Sequence, residues 1–194
     1  MATLYDYYNT GGNNHSIFVQ NRQVAQTFTA SENYTISSLK LKIYRDALWT
    51  PVPTIDLKVE IQGTDENGHP DGNVLASATI AYANIPVTTA DWEEIAISCD
   101  LTNGEKYAIV LYHTPDNDIS VNYHCYWSVD STSPIYTGGN YEYSNNDGGT
   151  WASTGSDFMF EVWGQLTFRP PNDVVTLRRL VAAANNKIWY EDIS

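Results

Sequence analysis

Residues 36–44 have the sequence ISSLKLKIY, in which apolar and polar side chains alternate. Leu39, Leu41 and Ile43 lie on one side of an extended chain, and the two lysines between them lie on the other. A period of two residues is typical of a β-strand with one buried and one solvated face. This stretch therefore predicts a half-buried strand.

The same kind of pattern extends through most of the chain. Apolar residues alternate with polar ones over residues 55–62, and residues 105–113 are apolar on both faces, as in a covered central strand. Further strand candidates are separated by stretches rich in Gly, Asn, Asp and Pro: residues 24–29, 74–81, 93–98, 123–128, 136–143 and 157–164. About nine strands without a long amphipathic helix predict an all-β fold, an antiparallel β-sandwich of the jelly-roll kind.

Composition excludes several classes of function. The chain has 194 residues, of which 42% are hydrophobic, so it can bury a core without a disulfide or a structural metal. Its formal net charge is −13, and only 10 side chains are basic. Because phosphate contacts require Lys and Arg, we expect no nucleic-acid partner. No apolar run approaches the length of about 20 residues that spans a bilayer, so we also expect no membrane insertion.

Three segments are predicted. Residues 1–21 form an N-terminal arm that is aromatic but lies outside the clear strand pattern, and residues 22–166 form the β-sandwich domain. A boundary follows at Pro170-Pro171, since proline fixes φ and lacks a hydrogen-bond donor. Residues 167–194 form a C-terminal assembly segment.

The C-terminal segment has two interpretations. Residues 177–184 fit a helical stripe, whereas residues 174–176 and 188–190 are strand formers. We favour a hairpin that turns at Asn185-Asn186, because paired Asn residues suit a two-residue type I′ turn. An isolated hairpin is only marginally stable in water, so this segment must dock on something. Its own sandwich and a neighbouring subunit both remain open as the docking site.

Several motifs along the chain resemble a known module. They are QTFT at 26–29, ISSLKLKIYR at 36–45, the turn at 64–72, LTNGEKYAIV at 101–110, YTGGNYEYS at 136–144, and DFMFEVWG at 157–164. Their order over residues 22–165 resembles jelly-roll, carbohydrate-binding-module-like domains that occur in tailed-phage virion proteins and prokaryotic surface proteins. Residues 179–192 are similar to the endings of phage structural proteins.

The resemblance implies a virion component, such as a capsid decoration protein, a fibre or a tail accessory protein. The N-terminus lacks the basic start and apolar middle of a signal peptide, so we expect location in an extracellular particle without such a signal. The expected function is that of a non-catalytic structural protein that docks on other virion proteins or on copies of itself. The anchors expected at this protein interface are Leu180, Val181, Ile188, Trp189 and Tyr190.

Carbohydrate recognition is the alternative function. Tyr and Trp offer flat apolar faces to sugar C–H groups and a polar edge to hydroxyls. Four aromatic residues crowd near flexible Gly and Asn residues and form the candidate glycan site: Trp127, Tyr141, Tyr143 and Trp151. Trp49 is a second candidate in a loop. Burial in the core or in a subunit contact would explain the same aromatics.

Catalysis has little support in the sequence. None of the four His residues lies in a recognised nucleophile motif. A third hypothesis, a polysaccharide depolymerase, needs two carboxylates at a defined separation, and Glu142 and Glu161 are the pair to test. We expect no enzyme activity and no catalytic residues.

No cofactor is predicted, and Ca²⁺ is the one alternative, because modules of the resembled kind often carry it. Asp65, Asn67 and Asp71 supply oxygen atoms in one loop, but the closing Glu of an EF-hand is missing, so an ordinary turn explains them better. Residues 116–118 also supply oxygen atoms in one loop, and an ordinary turn explains them better than a Ca²⁺ site does. The two cysteines, Cys99 and Cys125, lack metal-site spacing and are expected to be free thiols.

Overall fold

The computed structural model describes residues 2–18, 21–47, 55–114, 124–167, 177–184 and 187–193. Most of these residues lie in β-strands, and the one helical element among them is a single 3₁₀ turn at Tyr82–Asn84. Within these ranges, no helix has the length and apolar character needed to span a bilayer. The all-β prediction is confirmed.

Sixteen strands are described. In chain order they are β1 (Thr3–Tyr8), β2 (Asn14–Phe18), β3 (Gln23–Thr29), β4 (Tyr34–Arg45), β5 (Asp56–Thr64), β6 (Pro70–Ala81), β7 (Asp91–Ala96), β8 (Asp100–Leu101), β9 (Lys106–Thr114), β10 (Cys125–Asp130), β11 (Tyr141–Ser144), β12 (Ala152–Ser153), β13 (Asp157–Phe158), β14 (Phe160–Leu166), β15 (Leu177–Ala184) and β16 (Lys187–Ile193).

The strands form two large antiparallel sheets and one hairpin. Sheet 1 has eight strands in the order β1-β14-β4-β10-β13, with β2 also paired to β10 and with β7 and β8 paired to β4. Sheet 2 has six strands in the order β12-β11-β3-β9-β5-β6. Their inner faces pack against each other, which confirms the predicted antiparallel β-sandwich.

The core lies between the two sheets and follows the alternation in the sequence. Leu39, Leu41 and Ile43 of β4 are fully buried, and every second residue of β5 from Leu57 to Ile61 is buried opposite them. Each such side chain contributes about 1.5–3 kcal/mol of stability by its removal from water. Periodic burial on both sheets therefore supplies the main driving force for the sandwich.

The central strand β9 is covered on both faces, as predicted. Ile109 and Leu111 belong to the main core. Ala108 and Val110 point the other way and join Ala25 of β3 in a small apolar patch on the outer face of Sheet 2. Tyr112 and Trp151 pack against this patch, so it is shielded from water by aromatic rings.

Two strands, β1 and β2, fall within the range predicted as an N-terminal arm. β1 pairs with β14 and β2 pairs with β10, so both strands belong to Sheet 1. The Tyr5 ring stacks on Tyr34 at a centroid distance of 4.2 Å. The Tyr34 hydroxyl donates a hydrogen bond of 2.7 Å to Asp6. The side chains of Asp6 and Tyr8 on β1 are buried. Because one of them is a carboxylate, the buried face of β1 does not show the apolar alternation that identifies a strand in the sequence.

The strand expected over residues 136–143 is shorter in the structure and covers only Tyr141–Ser144. Residues before it run against β3, where Thr29 Oγ1 donates a hydrogen bond of 2.8 Å to the Gly138 carbonyl. A Cβ atom at Gly139 would overlap the carbonyl group of Thr27. This close approach of two backbones requires glycine and takes the place of regular pairing.

The C-terminal segment contains an antiparallel pair of strands, β15 and β16, with an irregularity between Leu180 and Ala182. The helical interpretation is therefore wrong, because these residues pair with a second strand. The predicted turn at residues 185–186 lies outside the described residues.

Candidate functional site

A cleft of about 230 Å³ lies on the outer face of Sheet 2, beside the apolar patch. We call it the Trp151 cleft. Strands β3, β5, β6 and β9 and the loop after β11 supply its lining residues: Gln23, Glu60, Gln62, Gly72, Val74, Tyr112, Asp147, Gly148 and Trp151. The sheet order places β3, β9 and β5 side by side, so residues far apart in the sequence meet here.

Glu60 forms the polar floor of the cleft and is 6% exposed. The Tyr112 hydroxyl donates a hydrogen bond of 2.7 Å to one oxygen of the Glu60 carboxylate, and Gln62 Nε2 donates one of 2.8 Å to the other. Gln62 Oε1 in turn accepts a hydrogen bond of 3.1 Å from the Gly72 amide. Burial and the bond to Glu60 raise the pKa of Tyr112. The floor is therefore a fixed carboxylate whose donors hold it in place.

The loop between β11 and β12 carries the indole of Trp151. Asn146 Oδ1 accepts a hydrogen bond of 2.9 Å from the Thr150 amide, and the Ser144 hydroxyl donates to the same Oδ1 at 2.9 Å. Asp147 and Gly148 both have positive φ, at 56° and 80°, which gives the tight turn. Internal hydrogen bonds and turn geometry thus position the half-buried indole.

A second depression, of about 340 Å³, lies on the other side of Trp151. Its lining residues are Tyr143, Asn145, Asn146, Thr150, Trp151 and Ala152. The Tyr143 ring is half-buried and has the Arg22 guanidinium 5.4 Å from its centroid. The structure therefore brings Tyr143 and Trp151 of the predicted glycan cluster to one surface.

The other two members of that cluster lie elsewhere. Trp127 is fully buried, stacks on Phe158 at 4.1 Å and donates its indole N–H to the Met159 carbonyl at 2.8 Å. Tyr141 is 7% exposed, and its hydroxyl lies 2.6 Å from Ser16 Oγ. Trp127 has no exposed face on which a sugar could stack, which corrects its placement at a surface site. Trp49 lies outside the described residues.

The cleft residues Glu60, Gln62 and Tyr112 were not among the site residues predicted from sequence. Glu60 and Gln62 belong to the polar face of a strand, and Tyr112 extends the second apolar face of β9. A second apolar face on a strand must be covered by a neighbouring group. This property of β9 is the signal in the sequence that could have identified Tyr112 as a site residue.

His69 and Glu142 connect two distant parts of Sheet 2 on the same outer face. The turn between β5 and β6 places His69 Nδ1 2.8 Å from Glu142 Oε2, and Ser153 Oγ donates a hydrogen bond of 2.6 Å to Oε1. Glu142 is 1% exposed and pairs in register with Ala25 of the apolar patch. One oxygen of this carboxylate holds the turn, and the other holds β12.

Glu142 and Glu161 do not form an acid pair. Glu161 lies on β14 in Sheet 1, where Asn9 Nδ2 donates to it at 2.9 Å and Trp163 Nε1 at 2.8 Å. Its neighbours Phe160 and Val162 face the core, so Glu161 faces outward from Sheet 1. Glu142 faces outward from Sheet 2, and the two carboxylates lie on opposite sides of the sandwich.

The oxygen-rich loop at residues 65–71 is organised by backbone amides. The amides of Asn67 and His69 both donate to Asp65 Oδ1 at 2.9 Å and lower the pKa of that carboxyl, with the His69 bond as the larger cause. Asp71 Oδ1 accepts from the Asn73 amide at 2.8 Å. In the part of the chain that the structure describes, no three His, Cys, Asp or Glu residues are grouped to hold a metal ion. Residues 116–118 lie outside it.

Cys99 and Cys125 are free thiols. Burial raises the pKa of Cys99 to about 11, and Asp100 adds to this effect. Cys125 is fully buried, and burial raises its pKa as well. Because the thiolate is the reactive form, neither residue has the character of a nucleophile at neutral pH.

The five predicted interface anchors lie on the C-terminal hairpin. Leu180 and Val181 belong to β15, and Ile188, Trp189 and Tyr190 belong to β16. The ladder pairs Leu180 with Tyr190, so residues from both strands are brought into one ribbon.

Comparison with known proteins gives no matching family model and no curated protein with significant sequence similarity. The function of this chain must therefore be inferred from the residues described above.

Proposed function

We propose that this protein is a non-catalytic structural component that docks on other subunits, or on copies of itself, through its C-terminal hairpin. The resemblance to phage virion modules favours a virion as the setting, with the chain as a capsid decoration, fibre or tail accessory protein. Carbohydrate recognition is a second proposal, which the Trp151 cleft supports.

The pairing of β15 with β16 is the observation that carries the docking proposal. A two-stranded ribbon has little stability of its own in water and gains it by packing on another surface. In the described part of the chain, each of the two strands pairs only with the other, so each keeps one open edge. Open edges and apolar anchors are the two features by which strands bind partner proteins.

The docking proposal is tested with the double variant Trp189→Ala/Tyr190→Ala in the full chain. We expect the unaltered protein to form assemblies in light scattering and the variant to shift towards the monomer mass. Tyr7→Ala is the matched control, because Tyr7 is a 50% exposed aromatic of the sandwich. Equal masses for all three proteins would refute docking through the hairpin.

Carbohydrate recognition rests on the combination of groups at the Trp151 cleft. The half-buried indole of Trp151 separates two depressions, and its flat face suits the C–H groups of a sugar ring. Glu60 can accept a hydrogen bond from a sugar hydroxyl, and the Gln23 amide, which also lines the cleft, can donate one. Fixed polar groups beside an aromatic surface are typical of sugar sites.

A glycan array with labelled protein tests this second proposal. We expect Trp151→Ala to abolish binding and Glu60→Gln to weaken it, since the amide keeps the shape but loses the charge-assisted bond. Trp163→Ala is the matched control, because this half-buried indole lies on Sheet 1. Binding that survives Trp151→Ala, or that Trp163→Ala reduces equally, would place the sugar elsewhere.

A further inference from the structure

The carboxylate of Glu60, at the floor of the Trp151 cleft, is buried without a positive partner. It is 6% exposed, and no basic side chain in the described part of the chain forms an ion pair with it. Its two hydrogen-bond donors, the Tyr112 hydroxyl and the Gln62 amide, are neutral. Burial, and then the bond to Glu60, raise the pKa of Tyr112, so this hydroxyl keeps its proton. Buried carboxylates are normally paired with a cation, and the protein does not supply one here.

The basic side chains on this face of Sheet 2 lie beside the cleft and not in it. Lys58 precedes Glu60 by two positions on β5 and therefore shares its face. The ammonium of Lys106 lies at the turn after β5, where a Cβ atom at Gly68 would be 3.1 Å from it. Neither lysine lines the cleft, whose lining holds a second carboxylate, Asp147, and no Lys, Arg or His. The cleft therefore presents net negative charge to a ligand.

The Glu60 carboxylate can accept further hydrogen bonds. Each oxygen of a carboxylate has two lone pairs, and each oxygen of Glu60 accepts one bond from the protein. Because Glu60 lines the cleft, a ligand group in the cleft can reach this carboxylate. A primary ammonium brings three N–H donors and a full positive charge, whereas a hydroxyl brings one donor and no charge. An ammonium is therefore the group that complements this floor best.

The indole of Trp151 narrows the class of amine. It is half-buried and lies between the cleft and the depression of about 340 Å³ on its other side. Its face attracts both a cation and the C–H groups of a sugar ring. A quaternary ammonium has no N–H for Glu60, and a flexible aliphatic amine has no ring to stack on the indole. An amino sugar has both, and the two depressions can take neighbouring sugar units.

We propose that the Trp151 cleft binds glycans that contain amino sugars with a free amine, with the ammonium bonded to Glu60 and the sugar ring stacked on Trp151. This inference rests on the proposed carbohydrate recognition and names the class of sugar. Asp147 at the exposed rim adds attraction for the same charge. N-acetylation removes the charge and leaves one N–H donor, so the acetylated sugar loses the ion pair.

Calorimetric titration of the full chain tests the proposal with two matched ligands. They are a β-1,4-linked glucosamine tetramer, at a slightly acidic pH that keeps its amines charged, and the same tetramer with every amine acetylated. We expect the unaltered protein to bind the free amine at least tenfold more tightly. We also expect higher salt to weaken this binding and to leave that of the acetylated tetramer unchanged. This comparison needs no variant and so does not depend on how a variant folds.

Glu60→Gln separates the charge from the shape of the floor. We expect it to reduce the preference for the free amine to near equality, and Asp147→Asn to reduce it less, because Asp147 is exposed. Glu66→Gln is the matched control, since it removes one negative charge from an exposed turn. We expect this control to keep the full preference.

Three results would overturn the inference: equal binding of the two tetramers, a preference that Glu60→Gln leaves intact, or a preference that Glu66→Gln reduces equally. If the two tetramers bind equally and Trp151→Ala abolishes both, the carbohydrate function stands while this inference falls. If neither tetramer binds but a glycan array shows another sugar that depends on Trp151, again only this inference falls. If the array is empty as well, both fall.

Discussion

His69 Nδ1 lies 2.8 Å from Glu142 Oε2 and ties the turn after β5 to β11 across Sheet 2. A carboxylate can only accept a hydrogen bond, so Nδ1 carries the proton in this contact. Because Glu142 is 1% exposed, loss of this bond is not compensated by water. The pair therefore fixes the turn beside the apolar patch on which Trp151 packs.

Glu142→Gln is expected to destabilise the protein by about 1–3 kcal/mol, because the bonds from His69 and Ser153 lose their charge assistance. Urea unfolding followed by fluorescence measures this change. Glu66→Gln is the control, since Glu66 is exposed in the same turn. A free energy of unfolding equal to that of the control would show that the bond between His69 and Glu142 does not hold the turn.

Tyr34→Phe is expected to lower stability by about 1–3 kcal/mol, because it removes the 2.7 Å hydrogen bond to the buried Asp6 carboxylate. Tyr5→Phe is the matched control, since it keeps the ring that stacks on Tyr34. Thermal and urea unfolding of both variants give the comparison. Equal effects of the two substitutions would mean that the hydrogen bond from Tyr34 to Asp6 does not stabilise the protein.

The alternation of side chains was sufficient to predict β4 and β5, because each buries apolar residues at every second position. β9 was predictable because it is apolar on both faces. Alternation failed for β1, whose inward positions include Asp6, a carboxylate that accepts hydrogen bonds there from the Tyr34 hydroxyl and the Ser31 amide. A sequence pattern shows which residues are apolar but not which polar residue will find a buried partner.

The candidate site was predictable only in part for a related reason. Trp151 stands out in the sequence as an aromatic beside a Gly-rich turn. Glu60 and Tyr112 are separated by more than 50 residues and meet only because β5 and β9 are neighbours in register. The pairing of β10 with β4 in Sheet 1 turns Trp127 into the core, although its type and its neighbours in the sequence suit a surface site equally well.

Trp127→Ala is expected to cost about 3–5 kcal/mol, because it leaves a large cavity against Phe158 and removes the indole hydrogen bond to the Met159 carbonyl. Trp151→Ala is the comparison, and it should cost less because its indole is only half-buried. Unfolding curves of the two variants measure the difference. Similar losses would mean that Trp151 is as much a core residue as Trp127, which would weaken the case for a glycan site.

Asp157→Asn is expected to stabilise the protein at pH 7 and to have little effect near pH 3. Burial, opposed in part by a 3.3 Å hydrogen bond from Gln26, raises the pKa of the Asp157 carboxyl, and the charge of Asp130 adds to the rise. A raised carboxyl pKa means that the folded state binds the proton more tightly than the unfolded state. The stability from this group is therefore present at low pH and lost as pH rises through the folded-state pKa.

Asp130→Asn is the control, with the opposite sign. The Tyr8 hydroxyl, 2.8 Å away, and then the Thr132 amide lower the pKa of the Asp130 carboxyl, so its contribution is present at neutral pH and is lost as the pH falls. We expect this variant to be destabilised at pH 7 and less so near pH 3. Urea unfolding at both pH values gives the four comparisons. If the two variants change stability in the same direction at pH 7, burial does not dominate the ionisation of Asp157.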